Sequence, residues 1–548
     1  MIHFVSELPV RPASRPLLIA FAGTTALFAL VLLFSFPVYH SFDDVNIPMI
    51  LGNGFGTGYS ECLPLLHSMP YFITLPLTEL WKAYPGINWY TWMLLLSQYL
   101  SCAAIFYVML KKQNWLPAVI FFLLAFSVFI IFLILYLHNS STAVTAIAAG
   151  LLLIWHNATQ PRSSWFLIVW GMLMLLIGMM FRFHVVIPLL VIAAPFFLLV
   201  PGWKKKTLML AAIAVCVLLS VRFFVMQNNH YAAHCINWTS EENYRQAKYD
   251  FINYYRDTTK PSLEPYRQDI TLLNLLILPD TSFLPASRIE QIAKEAREVM
   301  PLGKLFSMDT LYWPLVNNRI FLVMALIAIA LFWGRKFYNI IKIGSLVLAA
   351  ALTIYLIMTR KLPEFIIPSF ILTWFIFAAS VVKYAYPVAV LNRVITFLLI
   401  LSFIGWGMVR MAKISEHSKE MFGEMWAIQR ELSGHPDKLF ISIGDNEPFS
   451  YFYIFATPEE YPMHNILFVD QPLSLRDATL KARFGYTGFR DAIINPNVYF
   501  RGPELPSLTD YYTHQLQKPV EWQAPLPGFK YSKISKPKPV ENVIPDSL

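Results

Sequence analysis

Long apolar runs recur along the chain, separated by short polar steps. They fall near residues 17–38, 90–110, 115–137, 141–155, 165–181, 185–202, 207–225, 319–334, 341–358, 366–382 and 393–410. Runs approaching roughly 20 apolar residues match a helix crossing a bilayer core about 30 Å thick. In lipid only a helix or a closed barrel satisfies every backbone polar group. The pattern therefore predicts an α-helical polytopic membrane protein with about 11 transmembrane helices. Arg11 and Arg15 precede the first run, as in a signal peptide. No small-residue cleavage site follows it, so it is expected to be retained as a first helix.

Three longer polar segments interrupt this pattern, at 39–89, 226–318 and 411–548. In the second, Tyr244, Ala247, Phe251 and Tyr254 recur at helical spacing. Ser287 and Glu290 stand as a capping box before Ile289, Ile292, Ala296 and Val299. In the third, Met421, Met425, Ile428 and Leu432 predict a helix. Two strand-like runs follow, LFISI from Leu439 and ILFVD from Ile466. The order helix, strand, loop, strand predicts a small α/β domain over 411–548, beyond a transmembrane domain over 1–410. The Lys/Pro-rich tail after Tyr531 is expected to be poorly ordered. No internal repeat is evident, unlike the inverted repeats of many transporters.

Composition sharpens this picture. The 548 residues are 56% hydrophobic and 14% charged, against roughly 25% charged in soluble proteins. An aromatic share of 16% suits a protein with two membrane interfaces. The net charge of +9 does not point to nucleic acid, because it lies in short clusters between apolar runs. With a cytoplasmic N-terminus, one face carries Arg11, Arg15, Lys111, Lys112, Arg162, Lys204, Lys205, Lys206, Arg335, Lys336, Lys383 and Arg393. The short loops of the other face carry only Lys82, Arg182, Arg360 and Lys361. This bias follows the positive-inside rule. It places all three polar segments and the C-terminus on the extracytoplasmic face. Cys62 and Cys235 share that face and could form a disulfide, which spacing alone does not decide. Cys102 and Cys216 lie inside apolar runs, as packing residues.

Candidate chemistry gathers at that outer face. Asp43 and Asp44 stand just beyond the first helix. They read either as solvated turn acids or as a pair in which one is a general base and the other positions it or a metal. No cofactor is called for with certainty, and a divalent metal at the pair is left open. Gly52, Gly54, Gly56 and Gly58 alternate. A dinucleotide fingerprint needs a preceding strand and a following helix, so these glycines read as turn residues. Glu61 and His67 in the same loop are structural residues or substrate contacts. His138, Arg182, His184, Arg222, Arg360 and Lys361 lie at outer helix ends. Such groups either snorkel to lipid headgroups or face a cavity. Arg182, Arg222 and Arg360 together suit a phosphate, because arginine offers planar paired donors. GDNEPFSY from Gly444 reads as a turn or as a ligand loop at a strand end.

FDDVNIPMILGNGFG, from Phe42 to Gly56, resembles the acidic motif after the first helix of GT-C glycosyltransferases, in particular the protein mannosyltransferase and aminoarabinose transferase group. Asp43 stands at the catalytic Asp position, and Asp44 replaces the Glu of that motif. The chain also resembles polytopic proteins of bacterial surface-polysaccharide loci. The shared elements are Asp43–Asp44, Asn53–Gly54, Thr57–Gly58, the step PGINWY from Pro85 to Tyr90, and NYRQAKYDFINYYRD from Asn243 to Asp257. The resemblance implies a GT-C-like fold in a bacterial inner membrane. It implies a polyprenyl-phosphate-linked sugar donor, a glycan or lipid-linked acceptor, and a single inverting displacement. Asp43 would deprotonate the acceptor, and the arginines would stabilise the departing phosphate. Departures are Asp44 in place of Glu and the lack of a Lys-Pro step after Lys82. The rival readings are a precursor flippase and a non-catalytic component of glycan assembly.

Overall fold

The computed structural model describes residues 14–39, 41–56, 58, 70–235, 238–274, 284–301, 318–331, 336–359, 366–381, 390–443, 447–468, 480–485, 489–502, 505–523, 529–530 and 534–540. Each of the eleven apolar runs falls on a helix. In chain order these are α1 (Ser14–Phe34), α4 (Trp89–Lys112), α5 (Trp115–Ala125) continuing into α6 (Ile131–Leu135), α7 (Asn139–Thr159), α8 (Trp165–Phe181), α9 (Val186–Phe197), α10 (Trp203–His234), α14 (Arg319–Leu331), α15 (Lys336–Thr359), α16 (Ile366–Val381) and α17 (Val390–Ser433). Among the described residues six helical stretches are long and apolar enough to cross a membrane: α1, α4, α5–α6, α7, α10 and α15. Helices α8, α9 and α16 are apolar but shorter. The chain is an integral membrane protein.

The first polar segment holds two further helices, α2 (Phe42–Leu51) and α3 (Tyr71–Ala83). The second holds α11 (Trp238–Asn253), α12 (Arg267–Asn274) and α13 (Ala286–Ala296). Tyr244, Ala247 and Phe251 of α11 bury against Ile289, Ile292 and Ala296 of α13. The expected capping box does not form. Helix α13 begins after Pro285, whose extended backbone leads in without a side-chain cap, so Ser287 already lies inside the first turn.

Helix α7 is the centre of the bundle, with 94% of its apolar window buried. It meets α8 through glycines. A Cβ on Gly150 would sit 2.7 Å from both the Gly171 carbonyl oxygen and the Leu175 nitrogen. One on Gly178 would sit 2.8 Å from the Ala143 carbonyl oxygen. Small residues at such crossings let helix backbones approach in lipid, where no hydrophobic force drives them together. Because the obstructing atoms are backbone, Gly150→Val is expected to destabilise the bundle by about 2–3 kcal/mol. A lowered thermal unfolding midpoint in detergent would register this.

The third segment forms the predicted α/β unit. Strands β3 (Leu439–Ser442), β4 (Ile466–Phe468), β5 (Val498–Arg501) and β7 (Ile534–Ser535) make a sheet of order β4-β3-β5-β7. The first three run parallel and β7 runs antiparallel. A separate ribbon pairs β6 (Val520–Trp522) with β8 (Pro537–Pro539). The tail is therefore ordered over 534–540, contrary to expectation. Ile534 is fully buried, Lys536 donates to the Pro496 carbonyl, and Pro537 and Pro539 occupy an edge position where proline is tolerated.

The boundary at 410 is also not where structure changes. Helix α17 runs 44 residues without a break, about 66 Å of helix. It carries the chain out of the bundle and into the α/β unit.

The three polar segments meet at one end of the bundle. The Phe36 amide donates to Ser415 Oγ of α17 at 2.6 Å, and the Tyr39 amide to the Phe452 carbonyl at 3.1 Å. The Met463 amide donates to the Gly54 carbonyl at 2.7 Å. Tyr71 of α3 bonds Gln227 of α10, and the Tyr255 amide bonds the Thr359 carbonyl at the end of α15. At the opposite end Lys112 bonds Thr159 and Lys205 bonds the Gln160 carbonyl, in the basic loops.

Candidate functional site

The site is organised by a parallel pair two residues long, β1 (Val38–Tyr39) with β2 (Tyr136–Leu137). It brings the chain leaving α1 beside the chain entering α7. Immediately beyond these strands α2 and α7 begin, so two helix N-termini converge. Ser41 caps α2: its hydroxyl accepts from the Asp44 amide at 3.3 Å and donates to Asp44 Oδ2 at 2.7 Å. This variant of the capping box is what a Ser with an acid three residues later predicts.

Asp44 is completely buried. Its Oδ1 accepts from the Tyr90 hydroxyl at 2.7 Å and from the Asn139 amide, the first residue of α7, at 2.9 Å. Its Oδ2 accepts from Ser41 and faces His138 Nε2 at 3.4 Å. Burying a carboxylate is tolerable only with such pairing, and two helix N-termini add favourable dipoles. His138 Nδ1 accepts from the Ser140 amide at 2.8 Å, which leaves the ring proton on Nε2, toward Asp44. With its oxygens filled by donors, Asp44 does not suit a cation. It anchors α2, α4 and α7 to one another.

Asp43, one residue earlier, points the other way. It is exposed in the first turn of α2 and makes no hydrogen bond or ion pair among the described residues. The pair is thus divided into an outward carboxylate and a buried one that fixes its helix.

Arg182 joins the same cluster. Its Nε donates to Ser140 Oγ at 2.8 Å, and Ser140 Oγ donates to Asn139 Oδ1 at 3.0 Å. Its two Nη groups make no hydrogen bond among the described residues. The other described candidates lie at the surface. His184 is exposed and packs edge-on against Phe183. Arg222 is exposed on α10. Glu61, His67, Arg360 and Lys361 lie outside the described residues. Among the described residues no group of three or more His, Cys, Asp or Glu side chains converges. Cys235 is disulfide-bonded, while Cys102 and Cys216 are free thiols. Cys62 lies outside the described residues.

The glycine run has a use that turn formation alone does not describe. Asn53 and Gly56 do take left-handed backbone angles. In addition, a Cβ on Gly52 would lie 2.6 Å from Pro458 Cγ, and one on Gly54 would lie 2.7 Å from Pro458 Cβ. The bare backbone is a seat for the Pro458–His464 loop of the α/β unit. That unit is clamped again beside the acidic pair. Asn88 donates to Tyr39 Oη and to the Ala456 carbonyl, both at 3.0 Å. Thr91 bonds the Tyr39 hydroxyl at 2.7 Å and also donates to the Ile454 carbonyl. Burial holds the Tyr39 hydroxyl above its ordinary pKa, so it stays protonated in this network. Phe42 packs on Phe468 at 4.2 Å between ring centroids, and Phe449 packs on Phe468 in turn. The loop residues 444–446 lie outside the described residues. The helix after them, Glu447–Ser450, rests against α2.

Tyr90, Asn139, Ser41 and Ser140 are the site residues that side-chain chemistry alone did not single out. Asn88 and Tyr90 belong to PGINWY, so that short motif marked them without stating their partners.

No family model and no curated protein matches this sequence. Among solved structures, the apo crystal structure of ArnT from Cupriavidus metallidurans aligns at 13% identity over 94% of each chain, with a TM-score of 0.39. ArnT from the same organism bound to undecaprenyl phosphate aligns at 11% identity over 96% of this chain and 98% of that one, with a TM-score of 0.43.

Proposed function

We propose that the protein is a membrane glycosyltransferase. It moves a sugar from a polyprenyl-phosphate donor to a glycan or lipid-linked acceptor on the outer face of a bacterial inner membrane. The observation that carries the reading is the division of labour between Asp43 and Asp44. An unpaired carboxylate stands at the end of a membrane bundle, on a helix fixed by its saturated neighbour, with an arginine in the same cluster. A flippase needs charges along a path, whereas a transferase needs one free base held in a rigid frame. The disulfide at Cys235 supports an oxidising, extracytoplasmic location for this end.

In the proposed reaction Asp43 accepts the proton of an acceptor hydroxyl. That oxygen attacks the anomeric carbon, and the bond from this carbon to the lipid phosphate oxygen breaks. The lipid monophosphate leaves with its charge met by the Nη groups of Arg182, an electrostatic task for preorganised cations. Asp44 and His138 act as positioning residues, through α2 and α7. Arg222, Arg360, Lys361, Glu61, His67 and His184 are proposed as outlying contacts to the same substrates.

The test is turnover. Purified protein in lipid nanodiscs is given a panel of synthetic undecaprenyl-phosphate monosaccharides with a lipid-linked oligosaccharide, and release of undecaprenyl phosphate is followed. Release coupled to a longer acceptor supports the reading. Movement of a labelled lipid-linked sugar across a proteoliposome membrane without any release would overturn it in favour of a flippase.

A further inference from the structure

Arg410 lies on α17, in the part that leaves the apolar bundle toward the α/β unit. Its guanidinium sits against three aromatic faces: Phe132 at 4.4 Å, Trp406 at 5.0 Å and Phe321 at 5.8 Å from the ring centroids. It makes no hydrogen bond or ion pair among the described residues, and its Nη1 is buried without a partner. The contact is built in. A π-helical turn, Phe126–Ile130, precedes α6. Gly407 seats on that turn so closely that a Cβ would lie 2.9 Å from the Ser127 carbonyl oxygen. One turn further, α17 presents Arg410 to Phe132, four residues before Tyr136. Tyr136 belongs to β2, whose next residues are Leu137 and His138.

A half-buried guanidinium with its Nη1 buried and unpartnered, and with no ion pair among the described residues, is costly unless an anion completes it. The three rings around it offer no acceptor oxygen to its N–H groups, and planar guanidinium edges suit phosphate oxygens. Arg410 lies over Phe132, four residues before β2, and Arg182 bonds Ser140, three residues after it. We propose that Arg410 is a binding residue for the phosphate of a membrane-embedded polyprenyl monophosphate, reached from the bilayer side, with Phe132 and Trp406 taking the first isoprene units. This rests on the transferase reading and adds a cation that neither the acidic motif nor the basic loops indicated.

Phosphate chemistry at this depth has two lipid sources, the polyprenyl carrier and bulk phospholipid headgroups. The experiment separates them. Binding of undecaprenyl phosphate to the full chain in neutral phosphatidylcholine nanodiscs is titrated, with phosphatidylglycerol and inorganic phosphate as competitors. Arg410→Met keeps the apolar stem and removes the charge. It is expected to weaken undecaprenyl phosphate binding about tenfold or more, with Arg410→Lys recovering part. The thermal midpoint of Arg410→Met without ligand is expected to equal or exceed wild type, because an unpaired desolvated charge is removed. A structural role would lower it. Unchanged binding in Arg410→Met, or equal competition by phosphatidylglycerol, overturns the inference. Asp43→Asn is carried alongside. Loss of binding in Arg410→Met by a protein that shows no turnover would leave the phosphate site standing and sink the transferase reading, while full turnover in Asp43→Asn would remove only Asp43 as the base. Unchanged binding in Arg410→Met by a protein that shows turnover would do the reverse.

Discussion

Asp44→Asn is expected to cost about 3 kcal/mol or more of stability, although one atom changes. The carboxylate accepts from Tyr90, Asn139 and Ser41 and faces the His138 ring proton. An amide in its place offers one oxygen and turns an NH2 toward donors. Whichever way it is flipped, its NH2 meets an N–H that cannot accept, either the Asn139 amide or the His138 ring, in a fully buried place. Each such loss costs roughly 1–3 kcal/mol, and the charge that complements two helix N-termini disappears as well. The measurement is the apparent unfolding midpoint in detergent, read with the monodisperse fraction after heating. A wild-type midpoint in Asp44→Asn would show that the carboxylate is no anchor. Any loss of turnover in this variant follows from displacement of α2, so it does not identify a catalytic group.

Asp43→Asn is expected to do the opposite. Asp43 is exposed and unpaired, so its replacement should shift stability by no more than about 0.5 kcal/mol. Turnover should fall by roughly 10²–10⁴-fold, the usual contribution of a general base. The loss should appear in kcat, with undecaprenyl phosphate binding retained, because the proposed base would act on the acceptor hydroxyl and not on the lipid. Asp43→Glu keeps the base on a longer stem and should restore a fraction of the rate. A fully active Asp43→Asn protein would remove the central residue of the mechanism. The pair of variants is informative because adjacent acids of similar chemistry are predicted to fail in different assays.

The helical bundle was legible because the membrane makes the pattern local. A segment that must satisfy its own backbone in lipid announces itself by composition, and each of the eleven apolar runs falls on a helix. Strands β3 and β4 were legible for a similar reason, as short buried apolar runs. Strand β5 was not, because VYFR mixes an arginine into its last position and that arginine is buried at Ser442. Helix α2 carries its own start signal, since Ser41 with an acid three residues on is a capping pattern, but the alternating glycines from Gly52 read as a turn. The site's wiring was not legible at all. The contact from Asp44 to Asn139 spans 95 residues and depends on a strand pair two residues long. Nothing in the local pattern encodes that. Arg410 was hidden differently: it closed a hydrophobic run and so read as its end.

Helix α17 has a consequence for how the protein can move and how it can be divided. The position where hydropathy falls away is a mid-helix residue, with intact turns on both sides. A cut at 410 would give two fragments with frayed half-helices, each missing a wall that the other supplies. The same continuity removes a joint. Bundle and α/β unit are joined here by a rod, so a tilt of one end of it carries the other with it.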